Sequence, residues 1–140
     1  MNTLEHKMVD VLLDLRDNHH VSGIKAEFEA EGTRLEEALR LKEVVSKAGL
    51  GLTIKIGGCE ALRDMYECRT IGVDRLVAPM VESAYALQKF LQATNLAFPE
   101  NERPMASSIG PWRCVSRPGG GATGREFMTI ALRRTGCWTR

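Results

Sequence analysis

The sequence predicts an α/β fold: a partial (β/α)8 TIM barrel with a leading helix and about three β/α repeats. Two observations carry this prediction. Residues 50–83 show a strand, a glycine turn, a helix, a second strand and the start of another helix, which is the repeat of a parallel α/β protein. A strand and helix of the same kind precede them, after an amphipathic segment at the start of the chain. Strands joined by helix-length crossovers lie parallel.

The elements follow from apolar spacing. The leading helix is predicted over residues 3–17, since Leu4, Met8, Val11, Leu12 and Leu15 form one stripe, with Thr3 as its N-cap. The next helix carries a predicted capping box of Thr33 and Glu36 and ends at Gly49. Strands are predicted at 21–28, 51–56 and 75–80, further helices at 34–48, 60–70 and 83–94, and a loop at 95–104.

Three parallel strands make an incomplete sheet. A complete eight-fold barrel takes about 250 residues, and this chain has 140. Parallel sheets are normally covered on both faces, and a bare edge invites pairing with another chain. One alternative is therefore a non-catalytic half-barrel that self-associates as a homo-oligomer through its open sheet edge.

The composition divides the chain into two predicted regions. Residues 1–105, the barrel-like domain, contain 13 Lys and Arg against 17 Asp and Glu, whereas residues 106–140 contain six Arg and one acid, Glu126. The second region is a basic Gly/Arg-rich tail without periodicity, predicted to be irregular or disordered. It is either a genuine extension that touches RNA or an acidic partner, or the product of a shifted reading frame. The lack of periodicity and of Lys favours the frame shift, because a nucleic-acid-binding arm usually carries Lys with interleaved aromatic residues.

Several classes of protein are disfavoured by the sequence. The net charge of +1 indicates no general affinity for nucleic acid. No segment reaches the length of a membrane helix, and the acidic N-terminal segment is unlike a signal peptide, so we expect a cytoplasmic protein without a membrane partner. Cys59 and Cys68 lack the spacing of a zinc site or a disulfide framework, so reduced or buried thiols are expected.

Candidate functional residues stand at the carboxyl ends of the predicted strands, where parallel α/β proteins keep their chemistry. These are three acids after the first strand, a lysine and two glycines after the second, and three residues after the third: Glu27, Glu29, Glu31, Lys55, Gly57, Gly58, Pro79, Met80 and Glu82. Together they predict a polar mouth that binds an anionic substrate or orients a divalent cation.

Each candidate also has a structural interpretation. Glu29 and Glu31 favour a helix N-terminus through the helix dipole. Glu27 stands two residues from Lys25, so an ion pair on one strand face is an alternative, although an acid inside a strand favours function. For Lys55 we also favour function.

The two glycines and the last acid are weaker candidates. Gly57 and Gly58 lack the spacing of a phosphate-binding loop and form a turn on the simpler interpretation. For Glu82 we expect only a role in capping the following helix.

Three stretches resemble a known family. KAEFEAEG, LTIKIGGCEALRD and IGVDRLVAPMVES resemble the aldolase/citrate lyase family called HpcH/HpaI, of the pyruvate and phosphoenolpyruvate barrel group, over residues 20–98. The resemblance implies a lyase that cleaves or forms a carbon–carbon bond of a keto acid through a pyruvate-type enolate stabilised by Mg²⁺ or Mn²⁺. It makes Lys55, Glu29 and Glu31 the catalytic candidates, and Glu27, Lys55, Gly57 and Gly58 the substrate-binding candidates.

The resemblance is incomplete in two respects. Lys55 stands where relatives carry an arginine, and the histidine that serves as their base has no counterpart. The metal-binding Glu and Asp of the family have no match in residues 106–140. We therefore predict no metal ligands and no activity for this chain. A phosphate-binding β/α-barrel enzyme of another family remains a further alternative.

Overall fold

A computed structural model describes residues 1–108 of the protein. The elements in chain order are α1 (Thr3–His19), β1 (Gly23–Glu27), α2 (Leu35–Lys47), β2 (Gly51–Lys55), α3 (Leu62–Ile71), β3 (Arg75–Ala78), α4 (Ala84–Ala97), a 3₁₀ turn (Glu100–Glu102) and β4 (Met105–Ser108). The predicted leading helix and three β/α repeats are confirmed. The tail predicted to be irregular or out of frame begins at residue 106, and its residues from 109 onward lie outside the described part of the chain.

The strands form one open parallel sheet in the order β1-β2-β3-β4. Residues Ala26, Ile54, Leu76 and Ala106 lie side by side in register across all four strands. The sequence prediction missed β4, because it placed residues 95–104 in a loop and ended the repeats at 105. Instead, α4 continues to Ala97 and a 3₁₀ turn leads into the fourth strand. The α/β class is therefore established, with one strand more than predicted.

All four helices lie on one face of this sheet. Each new strand is added on the same side of the previous one, and right-handed crossovers then place α2, α3 and α4 on the same face. In agreement, α1 packs on α2, α2 on α3 and α3 on α4, as a single layer. The helix layer therefore has two ends, α1 and α4.

The hydrophobic core lies between the helix layer and the sheet. Strand residues that point toward the helices are fully buried, among them Leu52, Ile54 and Leu76. From the helices, Met65 and Phe90 are buried against them. A fully buried side chain of this size contributes about 1.5–3 kcal/mol relative to an exposed one, so this layer is the main source of stability.

The helix ends correct two predictions. The N-cap of α1 is Asn2 rather than Thr3, since the Asn2 side chain accepts a hydrogen bond from the backbone N–H of Glu5 at 2.9 Å. The second helix starts after Arg34 rather than Thr33, and the backbone N–H of Arg34 donates to Glu37 at 2.9 Å. In both cases the acid three residues after the true cap makes the return bond, which is the capping-box arrangement.

Helix α1 packs on its neighbour partly through charged groups. Glu5 is buried in an ion pair with Arg40 of α2, and Arg16 donates to the backbone carbonyl of Ala48 at 2.7 Å. Of the predicted apolar stripe only Leu12 is buried, whereas its first three members, Leu4, Met8 and Val11, are exposed. The predicted stripe thus exists on the helix, but most of it is not covered by α2. No helix within residues 1–108 has the length and apolar character needed to cross a membrane.

Candidate functional site

The sheet face opposite the helices carries polar side chains. In one row across the strands stand Lys25, Thr53 and Arg75, and in the row nearer the carboxyl ends stand Glu27, Lys55 and Val77. Because successive residues of a strand point to opposite faces, these residues alternate with the buried apolar residues of the same strands. We call this surface the polar face of the sheet.

A salt bridge joins the ends of β1 and β2 on the polar face. Glu27 and Lys55 are register partners in adjacent strands, and the Lys55 ammonium donates to Glu27 Oε1 at 2.5 Å. The Glu27 side chain is only 7% exposed, and that of Lys55 is 24% exposed. Among the predicted site residues, these two are the pair that the structure brings into direct contact.

The second carboxylate oxygen of Glu27 meets another lysine. Lys25 Nζ lies 3.2 Å from Glu27 Oε2 and 3.5 Å from Glu31 Oε1. The ion pair of Lys25 and Glu27, which is the structural alternative to a functional role for Glu27, is therefore present. Four alternating charges form a chain from Lys55 through Glu27 and Lys25 to Glu31, which we call the charge chain.

The charge chain keeps Glu27 ionised. The hydrogen bond from Lys55 lowers the pKa of Glu27 below its usual value, burial opposes this shift, and Lys25 adds to the lowering. A carboxylate held between two ammonium groups is stable in its charged form. Its chemical role at neutral pH is consequently to accept hydrogen bonds and to fix Lys55, not to donate a proton.

Glu29 occupies a different position from Glu31. A Cβ added to Gly57 would lie 3.5 Å from a carboxylate oxygen of Glu29 and 3.4 Å from one of Asp64. Asp64 in turn accepts a hydrogen bond from the backbone N–H of Gly57 at 2.8 Å. The sequence predicts similar roles for these two acids, but their contacts differ. Glu31 belongs to the charge chain, and Glu29 lies beside Gly57.

Sequence reasoning missed Asp64 and Arg75. Asp64 lies in the first turn of α3, where acidic residues are common, so no pattern in the sequence distinguished it. Arg75 is the first residue of β3. Its side chain reaches across β2, and Nη1 lies 3.2 Å from the position of a Cβ built on Gly23 of β1. The alternation of Arg75 with Leu76 was the signal that could have placed it on the polar face.

The remaining candidates lie apart from the charge chain. Within residues 1–108, and apart from its two chain neighbours, no atom lies within 4 Å of a Cβ built on Gly58. Met80 is largely exposed and has a positive φ of 52°, which is uncommon for a residue other than glycine. The α4 helix is capped by the Ser83 hydroxyl, which accepts from the N–H of Ala86 at 3.0 Å, so Glu82 does not supply the cap.

The described residues offer no ready metal centre or disulfide. No group of three or more His, Cys, Asp or Glu side chains in residues 1–108 is arranged to hold a metal ion. Cys59 and Cys68 are both free, and burial raises the pKa of the Cys68 thiol well above its usual value. The expectation of a buried thiol is confirmed for Cys68.

Comparisons with family models, with curated proteins and with solved structures found no match to this chain.

Proposed function

We propose that the chain binds a 2-keto acid at the carboxyl ends of β1 and β2, as part of a metal-dependent carbon–carbon lyase with a β/α-barrel domain. The observation that supports the proposal most is the salt bridge between Glu27 and Lys55. It places an ammonium at a strand end, on the sheet face that bears polar groups, two residues before Gly57. The activity itself is inferred from the family resemblance of residues 20–98.

Lys55 suits the carboxylate of a keto acid. An ammonium has three donors, and Glu27 accepts one of them at 2.5 Å. The remaining donors are available for a substrate carboxylate, while Glu27 holds the side chain in place. A keto acid bound there lies within reach of the loop that carries Glu29 and of Gly58, where a Cβ would meet no atom of the described residues within 4 Å other than its chain neighbours.

The expected Mg²⁺ or Mn²⁺ does not fit the described residues. Residues 1–108 contain no group of three or more suitable ligands, and the charged oxygens of Glu27 are occupied by two lysines. When bound, such an ion would supply stabilisation of the enolate, and its ligands would have to come from elsewhere. We therefore expect this chain to bind a keto acid without turning it over. Retro-aldol turnover by this chain with added Mg²⁺ or Mn²⁺ would contradict that expectation.

Pyruvate binding to the full chain tests the proposal. We expect pyruvate to raise the melting temperature and to shift the NMR signals of residues 27–32 and 55–58. Ligands that bind the native state alone stabilise it by RT ln(1 + [L]/Kd), so the shift grows with pyruvate concentration. Lys55→Met is expected to abolish both effects.

Lys47→Met is the matched control. Lys47 also pairs with a glutamate, at 3.7 Å from Glu43, but it lies exposed on the outer side of α2. Its loss should leave the response to pyruvate unchanged. A response that survives Lys55→Met overturns the proposed site. Stabilisation by sugar phosphates instead of pyruvate would favour the alternative of a phosphate-binding barrel enzyme.

A further inference from the structure

The described part of the chain has the geometry of one half of an eight-stranded β/α barrel. It contains four parallel strands in sequential order, with four helices in one layer on one face. In an eight-stranded β/α barrel each strand has one helix on the outside, and the opposite face of the sheet lines the interior. Two copies of residues 1–108 supply eight strands and eight helices.

The backbone at both sheet edges is suited to such closure. Within residues 1–108, β1 pairs with β2 alone and β4 pairs with β3 alone, so each leaves one side of its backbone without a strand partner. A two-fold axis through the centre of a barrel brings β4 of one copy beside β1 of the other, with both strands running in the same direction. This is the parallel pairing that already joins every strand of the sheet.

Large apolar side chains are exposed on both end helices of the layer, α1 and α4. Of the eight large apolar side chains exposed in residues 1–108, five lie on the end helices: Leu4, Met8 and Val11 on α1, and Tyr85 and Leu96 on α4. On α1 they follow the i, i+4, i+7 spacing of one helix face. On α4 they are eleven residues apart, which is three turns along one face. Apolar exposure therefore concentrates at the two ends of the layer.

Barrel closure brings these two surfaces together. Helix α1 precedes β1 and packs on α2, so it lies at the β1 edge of the sheet, where a closed barrel needs a helix across the new strand pair. In a closed pair, α1 of one copy would cover the junction of β1 with the other copy's β4, next to that copy's α4.

We propose that two copies of this chain associate about a two-fold axis to close an eight-stranded parallel barrel, with β4 and α4 of each copy against β1 and α1 of the other. The closed interior contains two charge chains, one from each polar face. The site around Lys55 is then completed by the sheet of a second copy. This proposal does not rest on keto-acid binding, because it depends only on the strand edges and the end helices.

Sedimentation equilibrium of the full chain tests the association. We expect a species of twice the 15.5 kDa chain mass. Val11→Glu and Leu96→Glu are each expected to raise the dimer dissociation constant by about tenfold or more, since a charge is placed twice in an apolar contact. Circular dichroism of each variant shows that the helices are retained.

Leu39→Glu is the matched control. Leu39 is 42% exposed on α2, in the middle of the helix layer, where closure adds no neighbour. Its substitution should leave the dissociation constant unchanged. A wild-type chain that is monomeric, or a Leu39→Glu variant that dissociates as readily as Val11→Glu, overturns the proposal.

A double variant tests the pairing of unlike helices. In the proposed dimer Val11 and Leu96 of different copies lie on facing surfaces, so Val11→Glu combined with Leu96→Lys places opposite charges across the contact. We expect the double variant to recover affinity relative to Val11→Glu alone. A dimer formed by α1 against α1 would show no recovery, and that result would overturn the arrangement.

Discussion

The two faces of the sheet are built from alternating residues of the same strands, yet most of their side chains differ in polarity. One face carries Ala26, Ile54 and Leu76, which are buried beneath the helices. The other carries charged side chains, of which Glu27 and Lys55 pair at 2.5 Å. The comparison indicates that stability resides mainly in the first face and chemistry in the second, so substitutions on neighbouring residues should separate the two.

The largest difference in the free energy of unfolding is expected between a substitution of Ile54 and a substitution of Thr53. Ile54→Ala removes a fully buried side chain from the apolar face and should lower the free energy of unfolding by about 2–5 kcal/mol. Thr53→Ala alters the adjacent residue on the polar face and should change it by less than about 0.5 kcal/mol. Urea denaturation of both variants measures the difference. Equal losses would show that the two faces contribute alike.

The polar face should show coupling between its charges. Glu27→Gln and Lys55→Met each leave one member of the 2.5 Å pair without its partner, so each should lower the melting temperature. The double variant removes both charges and should be less destabilised than the sum of the single variants. Thermal unfolding of the wild type, the two single variants and the double variant measures the coupling between Glu27 and Lys55. Strict additivity would mean that the pair does not interact in solution.

The rates of thiol alkylation test whether α3 is packed on the apolar face of the sheet. Cys68 of α3 is buried, and burial raises its pKa, whereas Cys59 is partly exposed in the loop after β2. Since the thiolate is the nucleophile, alkylation of Cys68 should be slower than that of Cys59 by more than about tenfold in the folded protein. Site-resolved mass spectrometry with iodoacetamide measures both rates, and urea should remove the difference. Similar rates without urea would contradict the burial of α3 on the sheet.

The outer surface of the helix layer should show the smallest effect. Arg63 forms an i, i+4 pair with Glu67 at 3.2 Å, and its side chain is almost fully exposed. Exposed pairs of this kind contribute little, because water screens the charges and the side chains lose freedom. Arg63→Ala should change the free energy of unfolding by less than about 0.5 kcal/mol in urea denaturation. A larger loss would mean that this surface is not solvated.

Apolar periodicity was sufficient to predict the repeats but not where they stop. Strands β2 and β3 carry buried apolar residues at alternate positions, Leu52 with Ile54 and Leu76 with Ala78, and in β1 the partly buried Ile24 alternates with the buried Ala26. Strand β4 has the sequence MASS, which lacks a run of alternating large apolar residues, although Ala106 is buried. Its strand conformation depends on pairing with β3, a long-range contact that local composition does not encode.

The site was predicted in part for a similar reason. Strand alternation placed Lys25 and Glu27 on one face of β1, and the structure shows that Lys55 of β2 lies on the same face. The path of the loop after β1 could not be predicted, and it sends Glu31 back to Lys25 and Glu29 toward Gly57. Asp64 reaches the same glycine from a helix. Such contacts depend on three-dimensional loop geometry rather than on spacing along the chain.

The ionisation of Glu27 tests most directly the claim that the polar face is organised around its pair with Lys55. Because the pKa of Glu27 is lowered in the folded protein, the pair stabilises the fold above the ordinary carboxyl range. That contribution is lost as the pH falls below 4.5, the unperturbed value.

The measurement is a ¹³C NMR titration of the Glu27 side-chain carboxyl in the wild type and in Lys55→Met. We expect a midpoint below 4.5 in the wild type and a higher midpoint in the variant. A wild-type midpoint at or above 4.5, or no change on removing Lys55, would contradict the account.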